Sequence, residues 1–308
     1  MIQLAANDSS ALRSLLTKVN PPVDYLKLPL KRELLSSLQL ARVLRPVLLH
    51  GWGGAPYRAG MADVPDADTL QALAVTSGTP FISVHLDVQA EDLERLTPGA
   101  ALERVAESVE RLRELTNLPI LLENVAHYEW SERPSFVTDP NWIAAALEIS
   151  GAGFLLDLAH ARVSAYHRHE HELEYLEALP LESITEIHLS APRLETDGLR
   201  DRHLPMQARD YELLERVLCR AKAVKLLTLE YGGIPDIGHT RAGMEIRIPR
   251  NDSGALLEQL AHLDTIRKRL NGALRAATRL PEGWHIDARR RVLPEEELSV
   301  GSIQAMGY

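Results

Sequence analysis

Eight short runs rich in Val, Ile and Leu, each closed off by turn residues, constrain this chain more than any other feature. They are Ile2–Asn7, Asp24–Leu30, Val47–Trp52, Phe81–Val88, Ile120–Ala126, Phe154–Ala159, Ile184–Ser190 and Leu226–Tyr231. Continuously apolar runs of this length suit strands buried on both faces, as in a parallel sheet. Helical patterns lie between them. Leu102, Val105, Ala106, Val109, Leu112 and Leu115 keep one apolar stripe through Ala100–Thr116. Trp142, Ala145, Ala146 and Ile149 do the same before Gly151, a helix stop, and shorter patterns cover Leu173–Leu179 and Tyr211–Ala223. Strand and helix alternating eight times predict an α/β chain closed into a (β/α)8 TIM barrel. An open doubly wound sheet would carry a glycine-rich phosphate turn after an early strand, whereas Gly151-Ala152-Gly153 precedes its strand. Residues 1–280 are expected to form a single barrel domain. Residues 281–308, where Arg289, Arg290 and Arg291 run into Glu295, Glu296 and Glu297, are expected to be a C-terminal extension.

Composition removes several classes of function. A single cysteine, Cys219, allows no internal disulfide, thiolate zinc knot or iron–sulfur cluster, and its place in an apolar helix reads as core. The start, MIQLAANDSS, has neither a basic region nor a long apolar stretch, and no 18-residue apolar run occurs. The expectation is a cytoplasmic chain that does not enter a membrane. A net charge of −9 argues against nucleic acid as a partner.

In a TIM barrel the carboxyl ends of the strands face one shared mouth. Here those ends carry histidine and carboxylate. His50 ends the third run and His85 sits late in the fourth; Glu123 lies in the fifth; Asp157 and His160 end the sixth; His188 is late in the seventh. Asp201 and His203 follow in the next loop, and Glu230 ends the eighth run. Any one of them has an ordinary explanation: a hydrogen-bonded histidine, or Asp157 capping the next helix. A carboxylate inside ILLENV is harder to account for without a cation. Together, nitrogen and oxygen donors without thiolate suit Fe(II), Mn(II) or Zn(II). Nine donors exceed what one ion can use, so two or three ions with bridging carboxylates are expected.

Other features weigh less. His167, His169 and His171 alternate in a polar segment and read as a solvated loop or helix start. Gly51-Trp52-Gly53-Gly54 and Gly232-Gly233 read as tight turns at strand ends. Trp52, Asn124 and Arg193 are candidates to touch a substrate, with Arg193 one of a group (Arg200, Arg202, Arg209) able to hold an anion.

The strings SVHLDV, LLENVAHY, LLDLAHARVSA, EIHLSAPR, DRHLP and TLEYGG, in this order, resemble the multinuclear non-haem iron-dependent oxidative enzymes of peptide natural-product biosynthesis. That family was long described as domain of unknown function 692, and its best known member is the methanobactin oxazolone-forming enzyme. The resemblance implies a barrel holding two or three iron ions. His50, His85 and Glu123 would serve one; Glu123, Asp157, His188 and Glu230 the next; His160, Asp201 and His203 a third. It further implies oxidation of cysteine in a ribosomally made peptide by dioxygen, often with a partner protein delivering the peptide. The sequence departs from the family in four places. His160 stands where asparagine is usual, and DYLKLPL lacks an acidic residue. SVHL lacks an aspartate before His85, and Arg202 separates Asp201 from His203 where threonine is usual.

Glu123, Asp157, His188 and Glu230 also resemble the four-ligand set of xylose-isomerase-like barrels, including ketose 3-epimerases. There one Mn(II)- or Zn(II)-type ion polarises a sugar carbonyl, and Glu123 and Glu230 would act as acid and base. Zinc endonucleases share the barrel type. The extra donors favour the multinuclear reading over the isomerase. The acidic balance, with few aromatics to stack bases, disfavours the nuclease.

Overall fold

The structure, a computed structural model, describes residues 1–51, 57–89, 97–232, 236–239, 245–248 and 252–278. Trp52, Gly53, Gly54, Gly233 and the expected extension from residue 281 lie outside the described residues. All eight apolar runs form strands, the first seven being β1 (Gln3–Asn7), β2 (Tyr25–Pro29), β3 (Val47–Gly51), β4 (Ile82–His85), β5 (Ile120–Glu123), β6 (Gly153–Asp157) and β7 (Ile184–Leu189). The hairpin β8 (Ala191–Glu195) and β9 (Gly198–Leu204) comes next, then β10 (Leu226–Leu229). Strands β1 to β7 and β10 pair in parallel and close a barrel in the order β1-β10-β7-β6-β5-β4-β3-β2. A second antiparallel pair, β11 (Asp236–His239) with β12 (Glu245–Ile248), follows.

The described α-helices are α1 (Ser10–Lys18), α2 (Leu38–Leu44), α3 (Ala67–Ser77), α4 (Pro98–Thr116), α5 (Pro140–Ser150), α6 (Leu158–His167), α7 (Glu172–Ala178), α8 (Ala208–Arg220) and α9 (Ser253–Thr278). The helices read from apolar periodicity are α4, α5, α7 and α8. Gly151 ends α5 at φ +61, the left-handed conformation that favours glycine. Cys219 corrects the sequence reading. Leu213, Leu214, Val217 and Leu218 turn the buried face of α8 inward, and the helical period leaves Cys219 exposed. α9 runs back to the amino end of β1, where the Asn271 side chain accepts from Ile2 N at 2.7 Å and donates to Ile2 O at 2.9 Å. No described helix is long and apolar enough to cross a membrane.

Alternation along each strand divides its residues between two environments. On β6, Phe154 and Leu156 join the main apolar cluster, whereas Asp157 is directed to the barrel mouth. Phe154 is fully buried, so Phe154→Ala is expected to destabilise the fold by about 3–5 kcal/mol. Denaturant unfolding of the two proteins measures this.

Candidate metal centre

Glu123 ends β5 with no solvent exposure and sits at the centre of the donors. Its Oε2 lies 3.0 Å from His50 Nε2 and 3.2 Å from His85 Nε2. Its Oε1 lies 3.1 Å from His188 Nδ1. Glu230, just past β10, places Oε1 3.3 Å from the same nitrogen and Oε2 3.5 Å from His203 Nε2. Asp201 Oδ2 lies between His203 Nε2 at 3.2 Å and His160 Nε2 at 3.4 Å. The structure therefore brings all nine predicted donors into one constellation. It opens into a cavity of about 600 Å³ lined by His50, His85, His160, Asp201, His203 and Glu230 among others. A cavity of about 830 Å³ at the opposite end of the barrel holds none of these donors.

Among the described residues, three groups of donor atoms lie within 4.8 Å of one another throughout. They are His50, His85 and Glu123; His50, His188 and Glu230; and Glu123, Asp157, His188 and Glu230. The first and third coincide with two of the sets expected from sequence. His160, Asp201 and His203 do not form such a group and meet through Asp201 alone. Asp201 and His203 are carried on β9, because the segment read as a loop is a hairpin of polar strands.

Hydrogen bonding fixes which atoms the donors offer. His50 Nδ1 lies 3.2 Å from the carbonyl of Ser83, and His160 Nδ1 lies 2.8 Å from the carbonyl of Asn124. A carbonyl only accepts, so each Nδ1 carries a hydrogen and Nε2 is the nitrogen turned toward a carboxylate. A lone pair and a carboxylate held near 3 Å repel unless a proton or a cation lies between them. Glu123 Oε2 and Asp157 Oδ2 are buried without a hydrogen-bond donor. Orphaned buried acceptors of this kind fit a divalent cation. Asp157 caps α6, as one sequence reading expects: its Oδ1 accepts from His160 N at 2.7 Å, while its Oδ2 is left buried without a hydrogen-bond partner.

The charges respond to one another. Burial alone would raise Glu123, but His50, His188 and His85 overcome it and hold its carboxyl well below the ordinary range. Glu230 is likewise held low against burial by His188 and His203. Asp157 goes the other way, pushed up to about 6 by burial and by the neighbouring Glu123, Asp201 and Glu230. Burial lowers His50. Against the same desolvation, acidic neighbours push His160 and His188 well up, and Glu230 and Asp201 raise His203 to about 9. The acids of this site demand positive charge.

The weaker candidates find other places. Asn124 spends its side chain on Asp157, donating to the carbonyl at 3.0 Å and accepting from the amide at 2.8 Å. Arg193 is exposed and bound to Glu195, Arg202 shares that partner, Arg200 pairs with Asp197, and Arg209 pairs with Glu172. None of these arginines lines the cavity. His167 corrects the solvated reading. It is buried, its Nε2 lies 2.9 Å from Leu199 O, and it packs on Tyr128, Trp130 and Tyr166. His169 is exposed, as expected of that segment. Sequence reasoning passed over Lys27 and Glu186, buried and paired at 2.6 Å beneath the donors. The signal was present: Glu186 stands two residues before His188, on the same face of β7.

The likeness of this chain to known proteins agrees with that geometry. The sequence model of a family described as "RiPP precursor modification enzyme MbnB/TglH/ChrH" matches residues 27–245. A "UPF0276 protein" of Caulobacter vibrioides is 29% identical over 243 residues, 74% of this chain and 85% of the relative. One from Bordetella pertussis is 31% identical over 144 residues, 45% of this chain and 50% of that protein. Among solved structures, the IOLI protein with a bound zinc atom superposes with a TM-score of 0.52 at 14% identity, covering 75% of this chain and 89% of its own. Endonuclease IV from Thermus thermophilus gives 0.50 at 17% identity, covering 88% and 99%. These two likenesses show the fold alone, a closed parallel TIM barrel. The family match spans most of the barrel and every one of the nine mouth donors, and on that ground the chain belongs to the RiPP precursor modification enzymes of the MbnB/TglH/ChrH family.

Proposed function

We propose that this chain is a multinuclear non-haem iron enzyme that oxidises cysteine in a ribosomally made peptide with dioxygen, the peptide arriving with a delivery protein. The observation that carries the reading is the sharing of Glu123 between two donor groups, which a single ion does not require. His50, His85 and Glu123 would hold one ion, and Glu123, Asp157, His188 and Glu230 a second. His160, Asp201 and His203 would complete a third site. When bound, iron supplies the redox chemistry with dioxygen that no side chain of this protein can. The chain's own residues do the rest. Ser83 and Asn124 fix the ring orientation of His50 and His160, Asn7 donates to Glu230 Oε1 at 3.3 Å, and the barrel wall buries most of the donors.

Anaerobic purification followed by elemental analysis tests this. Two or three irons per chain are expected. Less than one iron, with a single manganese or zinc, would overturn it in favour of a sugar isomerase or epimerase, whose needs the four-donor group of Glu123, Asp157, His188 and Glu230 would meet alone. A phosphodiesterase reading is the weakest of the three, because a chain of net charge −9 repels a polyanion.

A further inference from the structure

Lys27 on β2 and Glu186 on β7 form an ion pair inside the barrel that no donor group includes. Lys27 Nζ lies 2.6 Å from Glu186 Oε1, and neither side chain is more than 1% exposed. Thr228 Oγ1 on β10 donates to the same oxygen at 2.6 Å. A buried ion pair is a poor stabiliser compared with apolar side chains of the same volume, so its presence beneath the mouth calls for another explanation.

His188 supplies one. His50 and His160 keep Nδ1 on a backbone carbonyl and aim Nε2 at the carboxylates. His188 is reversed, with Nδ1 toward Glu123 and Glu230. For Nδ1 to offer a lone pair, the ring hydrogen must sit on Nε2. That nitrogen is buried and forms no hydrogen bond in this structure, and the carboxylate oxygen within reach is Glu186 Oε1, 3.2 Å away.

We propose that Lys27 and Glu186 are positioning residues for His188. Glu186 takes the Nε2 hydrogen and so fixes Nδ1 as the metal-facing nitrogen. Lys27, with Thr228, anchors Glu186 and neutralises it, which keeps that carboxylate from becoming a ligand itself. The inference rests on the reading of His188 as a metal donor.

Zinc serves as the probe because it is diamagnetic. The full chain, labelled with ¹⁵N-histidine and stripped of metal, is titrated with Zn(II) while long-range ¹H–¹⁵N spectra report which ring nitrogen is bound. The unsubstituted protein is expected to show one histidine ligated through Nδ1 with hydrogen on Nε2, a signal missing in His188→Asn. Lys27→Met and Glu186→Gln are each expected to abolish or shift that signal and to weaken zinc binding roughly 10–100-fold. Lys27→Arg should restore part of both. If either variant binds zinc as tightly as the parent with the His188 signal unmoved, the proposal is overturned and the metal centre stands. It is overturned in the same way if the variants lower Tm equally with and without zinc while the signal stays. Should Lys27→Met fail to fold, Glu186→Gln carries the same test. If the parent chain binds no zinc through His188, the reading of His188 as a donor falls, and this proposal with it.

Discussion

Glu123→Gln is expected to remove more metal than any other single substitution in this protein. Glu123 belongs to two donor groups, as His50, His188 and Glu230 do. It is, however, the residue common to the two groups that coincide with the sets expected from sequence, and its two oxygens face different partners: His50 and His85 through Oε2, His188 through Oε1. An amide cannot bridge two cations with two anionic oxygens. Loss of a residue outside the coordination sphere typically weakens a metal by 10–100-fold, so losing a shared ligand should weaken it by roughly 100-fold or more. Elemental analysis after dialysis is expected to show at least one ion fewer per chain, with activity on the peptide lost. Asp201→Asn is the comparison. It touches only His160 and His203, so the ions at Glu123 should stay. A Glu123→Gln protein that keeps its full metal content would end the shared-ligand reading.

The second large effect is on stability, and its direction follows from the shifted groups. Asp157 is pushed up to about 6, so the folded metal-free chain holds that proton better than the unfolded one and loses stability as pH rises from about 4 to 6. His203 is raised to about 9, and His160 and His188 are raised as well. A raised histidine contributes stability that is full below its ordinary value near 6.5 and vanishes as pH climbs through the folded value. Glu123 and Glu230 are held low, so their contribution is lost only in acid, below this window. The metal-free protein should therefore become less stable from pH 6 to pH 9. A divalent ion takes the place of those protons and binds better as they leave. The gap in Tm between metal-loaded and metal-free protein should widen across this range, to on the order of 5–10 °C at saturating metal. Thermal unfolding at pH 6 and pH 9, with Zn(II) or chelator, measures it. A gap that is larger at pH 6 would contradict the assignment.

The barrel was legible because its strands are buried on both faces, and a continuous apolar run such as FLLD leaves little else to choose. The clustering of histidines and acids at the mouth was legible for a related reason. Once strands point one way, a histidine or acid at each carboxyl end is already aimed at the mouth. What escaped has physical causes too. β8 and β9 form a two-stranded hairpin whose APRLE and GLRDRHL are mostly half-buried and rich in charged residues, so no hydrophobic period announced them. Lys27 looked like an ordinary charge in DYLKLPL, because sequence does not say that a partner waits across the barrel on β7. His167 sat in a polar string, but Gly198 and Leu199 of the hairpin cover it. The arginines around Asp201 looked available because their acids lie in the same polar stretch, and most of them pair there.

Asn124 ties the carboxyl ends of β5 and β6 together. Its amide clasps the backbone of Asp157 through both N–H and C=O while its own carbonyl orients His160, so the ends of β5 and β6 are expected to move as one piece. Glu123, Asp157 and His160 thus behave as marks on a rigid gauge rather than as three independent arms. A rigid gauge loses little entropy when an ion arrives, and it cannot stretch or contract to suit one of the wrong radius. Selectivity among divalent ions in this protein should accordingly be written in main-chain hydrogen bonds as much as in the chemistry of the donors.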